Sequence, residues 1–258
     1  MPNGHYLGLF AAYGTVVVLT LLIRLVFLKI PKLRPIWPAQ GPIELRRPWL
    51  DFGLFFVAGI GVIAVGQLYQ QNLLLPNTGP MGPAFEAINQ GIIFLPIPLL
   101  LLIRRQGPRT ALLPHGDLGR RVSASLVLAT VAALVYVIAT PASLTDFGLA
   151  FSREASEGRL AAHAVQVFME DLAIAALLVR LTLVLRSEWG AGIAVACLFA
   201  AAHIPAMLGA EAPVEPVEWA HRGLDAAIGV IVMVGLLKTR DLLWLYPTHF
   251  VMDMAQFA

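Results

Sequence analysis

Long runs of apolar residues, most of them close to twenty residues in length, recur along the whole chain. A helix rises about 1.5 Å per residue, so about 20 apolar residues cross the ~30 Å hydrocarbon core of a bilayer. The predicted spans are residues 6–28, 50–68, 83–103, 122–140, 160–185, 189–208, 224–237 and 242–257. The sequence therefore predicts an all-α fold, a polytopic membrane bundle of about eight transmembrane helices.

The composition favours a membrane protein over a soluble one. Hydrophobic residues make up 58% of the chain and charged residues 13%, and the mean hydropathy is +0.76. An average soluble domain is about 45–50% apolar and about 25% charged. Without repeats or low-complexity segments, we expect a single transmembrane domain over residues 1–258, with a candidate catalytic half at 160–258. The single cysteine, Cys197, excludes an internal disulfide and a cysteine zinc site.

The links between the predicted spans alternate in charge. Lys and Arg concentrate in the links after spans one, three, five and seven, and the other links are poor in basic residues. An excess of Lys and Arg marks the cytoplasmic side. We therefore expect an integral protein of a bacterial cytoplasmic membrane with both termini outside. The first run has no basic n-region and no cleavage site after it, so it is expected to be a retained span.

Ionisable residues inside a span are costly, at roughly 2.5–3.5 kcal/mol each on insertion scales, and they mark candidate functional positions. The fifth predicted span contains His163, Gln166, Glu170 and Asp171. Spacings of seven and four residues place the first three of these on one helical face.

Two later spans carry histidines at helical spacing. Phe199 and His203 are four residues apart in the sixth span, and His249 and Asp253 are four apart in the eighth. Residues four apart on a helix are neighbours, so an aspartate can fix the tautomer of the histidine. A buried glutamate can activate water, and two imidazoles can stabilise an oxyanion or bind a metal ion. The combination indicates hydrolysis of an amide bond inside a membrane.

Two other predicted spans also contain clusters of polar residues. His221 and Asp225 form a second His-x-x-x-Asp pair at the start of the seventh span, where an interfacial ion cluster is the expected role. Glu86, Asn89 and Gln90 share a face in the third span and could line a cavity.

The late motifs resemble those of the CAAX prenyl protease and bacteriocin-processing (CPBP) family of intramembrane endopeptidases, whose members have about eight helices. The resemblance covers residues 161–258. The motif Glu-Glu-x-x-x-Arg is matched by Glu170 and Asp171 with Ala175 at the Arg position, Phe-x-x-x-His by Phe199 and His203, and His-x-x-x-Asn/Asp by His249 and Asp253. Arg180 is a candidate to hold the acidic pair in place of the missing arginine.

The resemblance implies a role for each matched residue. Glu170 would be the base that activates water, and His203, His249 and Asp253 would stabilise the oxyanion and orient the site. Supporting roles are expected for Asp171, Phe199, His163 and Gln166. The family indicates that no cofactor is required, whereas the residue types alone would also allow zinc on Glu170, His203 and His249.

The expected partners are a membrane-anchored peptide or protein substrate and the lipid bilayer, and nothing indicates a nucleic acid. Two alternatives stay open. Ala175 favours a non-catalytic scaffold or immunity protein of the same family. Intramembrane histidines and carboxylates also serve in transporters and proton relays, although the chain has no two-half symmetry.

Overall fold

The structure is a computed structural model that describes residues 4–29, 36–37, 43–79, 81–113, 116–209 and 214–255. It is 81% helical, and its described residues contain no strand, which confirms the all-α fold. The helices are α1 Gly4–Lys29, α2 Pro48–Gln70, α3 Gly82–Phe94, α4 Pro96–Ile103, α5 Leu118–Ala139, α6 Leu144–Ser156, α7 Leu160–Leu185, α8 Glu188–Ala202, α9 Ile204–Leu208, α10 Pro216–Thr239 and α11 Leu245–Met254, with a short 3-10 helix at Pro108–Ala111.

Several of the described helices have the length and hydropathy of membrane spans. Five segments qualify: Gly4–Phe27, Pro48–Gln70, Leu118–Ala139, Glu188–Leu208 and Pro216–Thr239. A sixth is obtained if α3 and α4, which are bent by 52° relative to each other, count as one span. These helices support an integral membrane protein, but the predicted count of about eight spans is not confirmed.

The difference from eight lies in two places. Helix α11 has 10 residues and is therefore about 15 Å long, half the thickness of a hydrocarbon core. The predicted eighth span ran to residue 257, and residues 256–258 lie outside the described part of the chain. Helix α7 has 26 residues but is not among the qualifying segments; it packs against α2, α3, α8 and α11 at the centre of the bundle.

The bend between α3 and α4 has a local cause. Pro96 begins α4, and a proline lacks the N–H for the helical hydrogen bond and clashes with the preceding turn. The N–H of Leu95 bonds the carbonyl of Ile92, a three-residue spacing that ends α3. The predicted continuous span over 83–103 is therefore two shorter helices.

Helix α8 packs closely against α10 through small residues. A Cβ added at Gly229 would lie 3.0 Å from the Cβ of Ala196, and one at Gly192 would lie 3.3 Å from the Cβ of Met233. Small residues let helix backbones approach in membranes. This packing fixes the position of His203, which ends α8.

A buried ion pair anchors the start of α11. Arg121 on α5 donates to the carboxylate of Asp241, and both side chains are almost fully buried. The N–H of Leu242 also donates to the carbonyl of Leu112 at 2.8 Å. Together these contacts hold the link into α11 and so position His249 and Asp253.

Candidate active site

Helices α1, α7, α8, α10 and α11 enclose a cavity of about 400 Å³. The structure brings seven of the predicted site residues to its wall: Gln166, Glu170, Asp171, Phe199, His203, His249 and Asp253. His163 is not part of the wall, but its Nε2 lies 3.6 Å from Oδ2 of Asp253. The motifs that follow one another along the chain therefore meet in space.

His249 is held across the bundle by Asp171. Nδ1 of His249 lies 2.8 Å from Oδ1 of Asp171, whose side chain is fully buried. With Asp171 ionised, its carboxylate only accepts hydrogen bonds, and Nδ1 of His249 then carries the proton. The second oxygen of Asp171, Oδ2, is buried without a hydrogen-bond partner among the described residues. Asp171 thus fixes the tautomer and orientation of the His249 ring.

Asp253 lies between two imidazoles. Its Oδ1 is 3.5 Å from Nε2 of His249, and its Oδ2 is 3.6 Å from Nε2 of His163. With Asp171 on the other side of His249, acidic and basic groups alternate in a row of four side chains. The row crosses from the buried centre of α7 to α11 and returns to the first turn of α7.

Glu170 lies where two spaces meet. Its Oε1 accepts a hydrogen bond from Nε2 of Gln166 at 3.0 Å. Besides the cavity, Glu170 lines a groove of about 520 Å³ between α2, α3, α7 and α8, whose lining is mostly apolar. His203 lines both spaces as well. Glu170 and His203 are therefore reachable from either side.

His203 is oriented by the end of its own helix. Its Nδ1 lies 2.9 Å from the backbone oxygen of Phe199, one of the last carbonyls of α8. The Phe199 ring packs edge to face against the imidazole, with centroids 4.8 Å apart. Because a carbonyl oxygen only accepts, Nδ1 carries the proton, and Nε2 of a neutral His203 is an acceptor.

Arg180 does not take the place of the arginine that the motif has at position 175. Ala175 is fully buried, and Asp171 takes its hydrogen bond from His249. Arg180 instead donates to the carbonyl of Thr110 at 3.0 Å and to the side chain of Gln106, and so ties α7 to the link after α4. The prediction that Arg180 holds the acidic pair is wrong.

The second His-x-x-x-Asp pair forms an ion cluster at one end of the cavity. Asp225 accepts from the hydroxyl of Tyr6 at 3.2 Å and pairs with Arg222 at 2.8 Å. His221 stacks on the Tyr6 ring, with centroids 4.8 Å apart, and lies 3.9 Å from Glu218. These contacts form an ion cluster that ties α1 to α10.

The polar residues of α3 have two roles: some make structural hydrogen bonds, and one also lines the groove. The buried side chain of Asn89 accepts from the backbone N–H of Leu75 at 3.1 Å and donates to its carbonyl at 2.9 Å. Glu86 accepts from the hydroxyl of Tyr69 and from Gln90. Asn89 and Glu86 thus fasten the link between α2 and α3, and Gln90 also lines the groove.

The residues that share the cavity are not arranged as a metal site. Within the part of the chain that the structure describes, no group of three or more His, Cys, Asp or Glu side chains is placed to hold a metal ion. The ligand set that the residue types would allow for zinc, Glu170 with His203 and His249, is not assembled in this arrangement.

The sequence motifs do not indicate Tyr13. This residue lies on α1, is 6% exposed and lines the same cavity as Glu170 and His249. An available signal was its spacing of seven residues from Tyr6, which places both hydroxyl-bearing side chains on one face of the first span.

Comparisons of the chain with protein-family models, with curated proteins and with solved structures give no match. The function is therefore argued from the geometry and chemistry of the site.

Proposed function

We propose that this chain is an intramembrane endopeptidase, a divergent relative of the CPBP proteases, which hydrolyses a peptide bond in a membrane-anchored peptide or protein. The observation that carries the proposal is the shared cavity, in which Glu170, His203, His249 and Asp253 converge from three helices. A glutamate, two imidazoles and an aspartate in a membrane-buried cavity are the groups that water activation requires.

Glu170 is the general base of the proposed reaction. It takes a proton from water while the water oxygen bonds to the carbonyl carbon and the carbonyl electron pair moves to the oxygen. When the tetrahedral intermediate collapses, the C=O bond re-forms, the C–N bond breaks, and Glu170 returns the proton to the leaving nitrogen. Gln166, which donates to Oε1 of Glu170, holds the carboxylate toward the cavity.

His249 and His203 border the reacting groups from α11 and from the end of α8. His249 is fixed by Asp171 at 2.8 Å and faces Asp253 at 3.5 Å, so its ring cannot turn without losing both contacts. The proposal requires no metal cofactor, because Glu170 itself supplies the base.

The groove supports a membrane-anchored substrate. Its wall is mostly apolar, and it shares Glu170 and His203 with the cavity. An apolar segment seated in the groove would reach Glu170 without passing through water. We further propose a bacterial cytoplasmic membrane, with both termini outside.

The proposal is tested by comparing the new protein termini in membranes of cells that express the wild type or Glu170→Gln, with mass spectrometry as the readout. Glu157→Gln is the matched control, because it makes the same chemical change at a surface position paired with Arg159. We expect termini that are present with the wild type and with Glu157→Gln and are lost with Glu170→Gln. Identical termini in all three membranes, with each protein folded and abundant, would contradict the proposal and support a non-catalytic binding protein.

The alternating row Asp171, His249, Asp253 and His163 favours one second candidate, a proton relay. Its three separations of 2.8, 3.5 and 3.6 Å place each acidic group next to a basic one, and the first is a hydrogen bond along which a proton can move directly. In proteoliposomes, proton uptake that His163→Gln abolishes would support the relay. Proteolysis without proton movement would exclude it.

A further inference from the structure

The ring nitrogens of His203 and His249 already face partners within the protein. Nδ1 of His203 is bonded to the carbonyl of Phe199, and Nδ1 of His249 to Asp171. Nε2 of His249 faces Asp253 at 3.5 Å, and the amide of Gln166 donates to Glu170. A neutral His203 presents only an acceptor at Nε2.

In this arrangement the proposed reaction lacks a hydrogen-bond donor for the oxyanion. Negative charge develops on the carbonyl oxygen in the transition state of amide hydrolysis, and a preorganised donor must face it. With His203 neutral, the ring nitrogens of the two histidines that the family resemblance assigns to this task direct their N–H groups to Phe199, Asp171 and Asp253. A further donor on the cavity wall would complete the site.

Tyr13 meets the requirement. Its side chain on α1 lines the cavity together with Glu170, His203 and His249, and it is 6% exposed. A phenol is an O–H donor without a formal charge, so it can face an oxyanion in a buried site without the desolvation cost of a cation.

We propose that Tyr13 is a catalytic residue, whose hydroxyl donates a hydrogen bond to the carbonyl oxygen of the scissile bond as negative charge develops there. The inference rests on the proposed function. Tyr13 keeps its proton throughout, because the water proton travels through Glu170 to the leaving nitrogen. The developing oxyanion then lies between the Tyr13 hydroxyl on α1 and the Glu170-bound water on α7.

The test uses the full chain in liposomes and a peptide that spans the cleavage site found in the comparison of termini. Tyr13→Phe keeps the ring and removes the hydroxyl. Removal of one oxyanion donor typically lowers kcat by about 10²–10³-fold, and we expect such a loss with little change in KM. Tyr6→Phe is the matched control, since it makes the same change seven residues earlier on the same face of α1, in the ion cluster with Asp225.

The outcomes separate this inference from the proposed function. Wild-type kcat in Tyr13→Phe, with Glu170→Gln inactive, would overturn the role of Tyr13 and leave the protease proposal standing. Full activity in Glu170→Gln would overturn both. Equal losses in Tyr13→Phe and Tyr6→Phe would assign the effect to the packing of α1 and overturn the inference.

A second substitution covers the case in which Tyr13→Phe does not fold. Replacing Tyr13 with 3-fluorotyrosine preserves the shape of the side chain and makes the phenol more acidic. A more acidic phenol is a stronger hydrogen-bond donor, so we expect kcat to rise above that of the wild type with little change in KM. An unchanged kcat in the fluorinated protein would overturn the inference.

Discussion

Asp171, for which the resemblance implies only a supporting role, makes the hydrogen bond that orients His249. The family pattern directs attention to Glu170, with an arginine five residues later that would secure the acidic pair. In this chain Ala175 stands at that position in the packed core, and the buried carboxylate of Asp171 binds Nδ1 of His249 across two helices. The departure from the motif thus coincides with a direct carboxylate–imidazole hydrogen bond.

Asp171→Asn tests this contact. The amide has the shape of the carboxylate but lacks its charge, so it no longer selects the tautomer with the proton on Nδ1. We expect kcat to fall on the order of 10²-fold, within the range that positioned acid–base groups contribute. Asp225→Asn, in the ion cluster between α1 and α10, is the control and should keep kcat within a few-fold. Equal kcat in Asp171→Asn and the wild type would show that His249 needs no carboxylate partner.

Contacts between residues close in the sequence could be predicted, whereas contacts between distant residues could not. The four-residue spacings singled out Phe199 with His203 and His249 with Asp253, because such pairs are encoded within one helix. The contact between Asp171 and His249 joins residues 78 positions apart, and no local pattern encodes it. Tyr13 was missed because an aromatic residue in an apolar run is indistinguishable from a packing residue until its neighbours are known.

At the scale of elements, α6 illustrates a helix that hydropathy does not reveal. Hydropathy predicts a link between the fourth and fifth predicted spans, but Leu144–Ser156 is helical. Its start is a capping box: the hydroxyl of Ser143 accepts from the N–H of Asp146, whose carboxylate accepts from the Ser143 N–H in return. It buries Phe147 against Tyr136 and leaves Leu149 exposed.

Removal of the cap should loosen α6 alone. Ser143→Ala deletes the side-chain acceptor for the first turn, so amide hydrogen exchange in residues 144–148 should accelerate while exchange in α7 is unchanged. Thr145→Ala, in the same turn, is the matched control and should exchange like the wild type. Unchanged exchange in Ser143→Ala would show that packing alone holds the helix start.

The same cap predicts a pH dependence. Hydrogen bonds from the side chain and the backbone of Ser143 lower the pKa of Asp146 below its ordinary value of 3.8. A lowered pKa in the folded state stabilises the helix start above the ordinary value, and this stabilisation is lost as the pH falls through the lowered pKa. Exchange in α6, measured relative to the rate of an unprotected amide at the same pH, should therefore accelerate in acid below about pH 4. Ser143→Ala should remove most of that dependence. An identical acid response in the two proteins would contradict the assignment.

Helix boundaries were predicted as far as hydropathy alone determines them. The first, second and fourth predicted spans correspond to α1, α2 and α5, which are apolar over most of their length. The third was treated as continuous because the sequence is apolar on both sides of Pro96, although a proline inside a helix favours a bend. Helix α11 was overestimated because its apolar composition persists beyond the helix end at Met254.

At the scale of the whole molecule, the orientation in the membrane determines whether the cavity opens to the outside or to the cytoplasm. His5 and Tyr6, at the start of α1, and Arg222 and Asp225, near the start of α10, line the same end of the cavity. That end therefore lies on the side of the N-terminus, and Tyr13 with the predicted catalytic residues lies deeper in the bundle. If the N-terminus is outside, as the distribution of Lys and Arg predicts, the cavity opens outward.

Labelling with a membrane-impermeant maleimide tests this orientation. In a Cys197→Ser background, Thr78→Cys places a thiol in the exposed link between α2 and α3, and Arg109→Cys places one in the exposed, arginine-rich link after α4. We expect the thiol at position 78 to react in intact cells and the thiol at 109 to react only after the membrane is opened, because basic links stay in the cytoplasm. The two positions control for each other, since both are exposed and differ only in the predicted side. The reverse pattern would place the cavity mouth in the cytoplasm, and substrates would then have to be presented from the inner leaflet, with the chemistry of Glu170 unchanged.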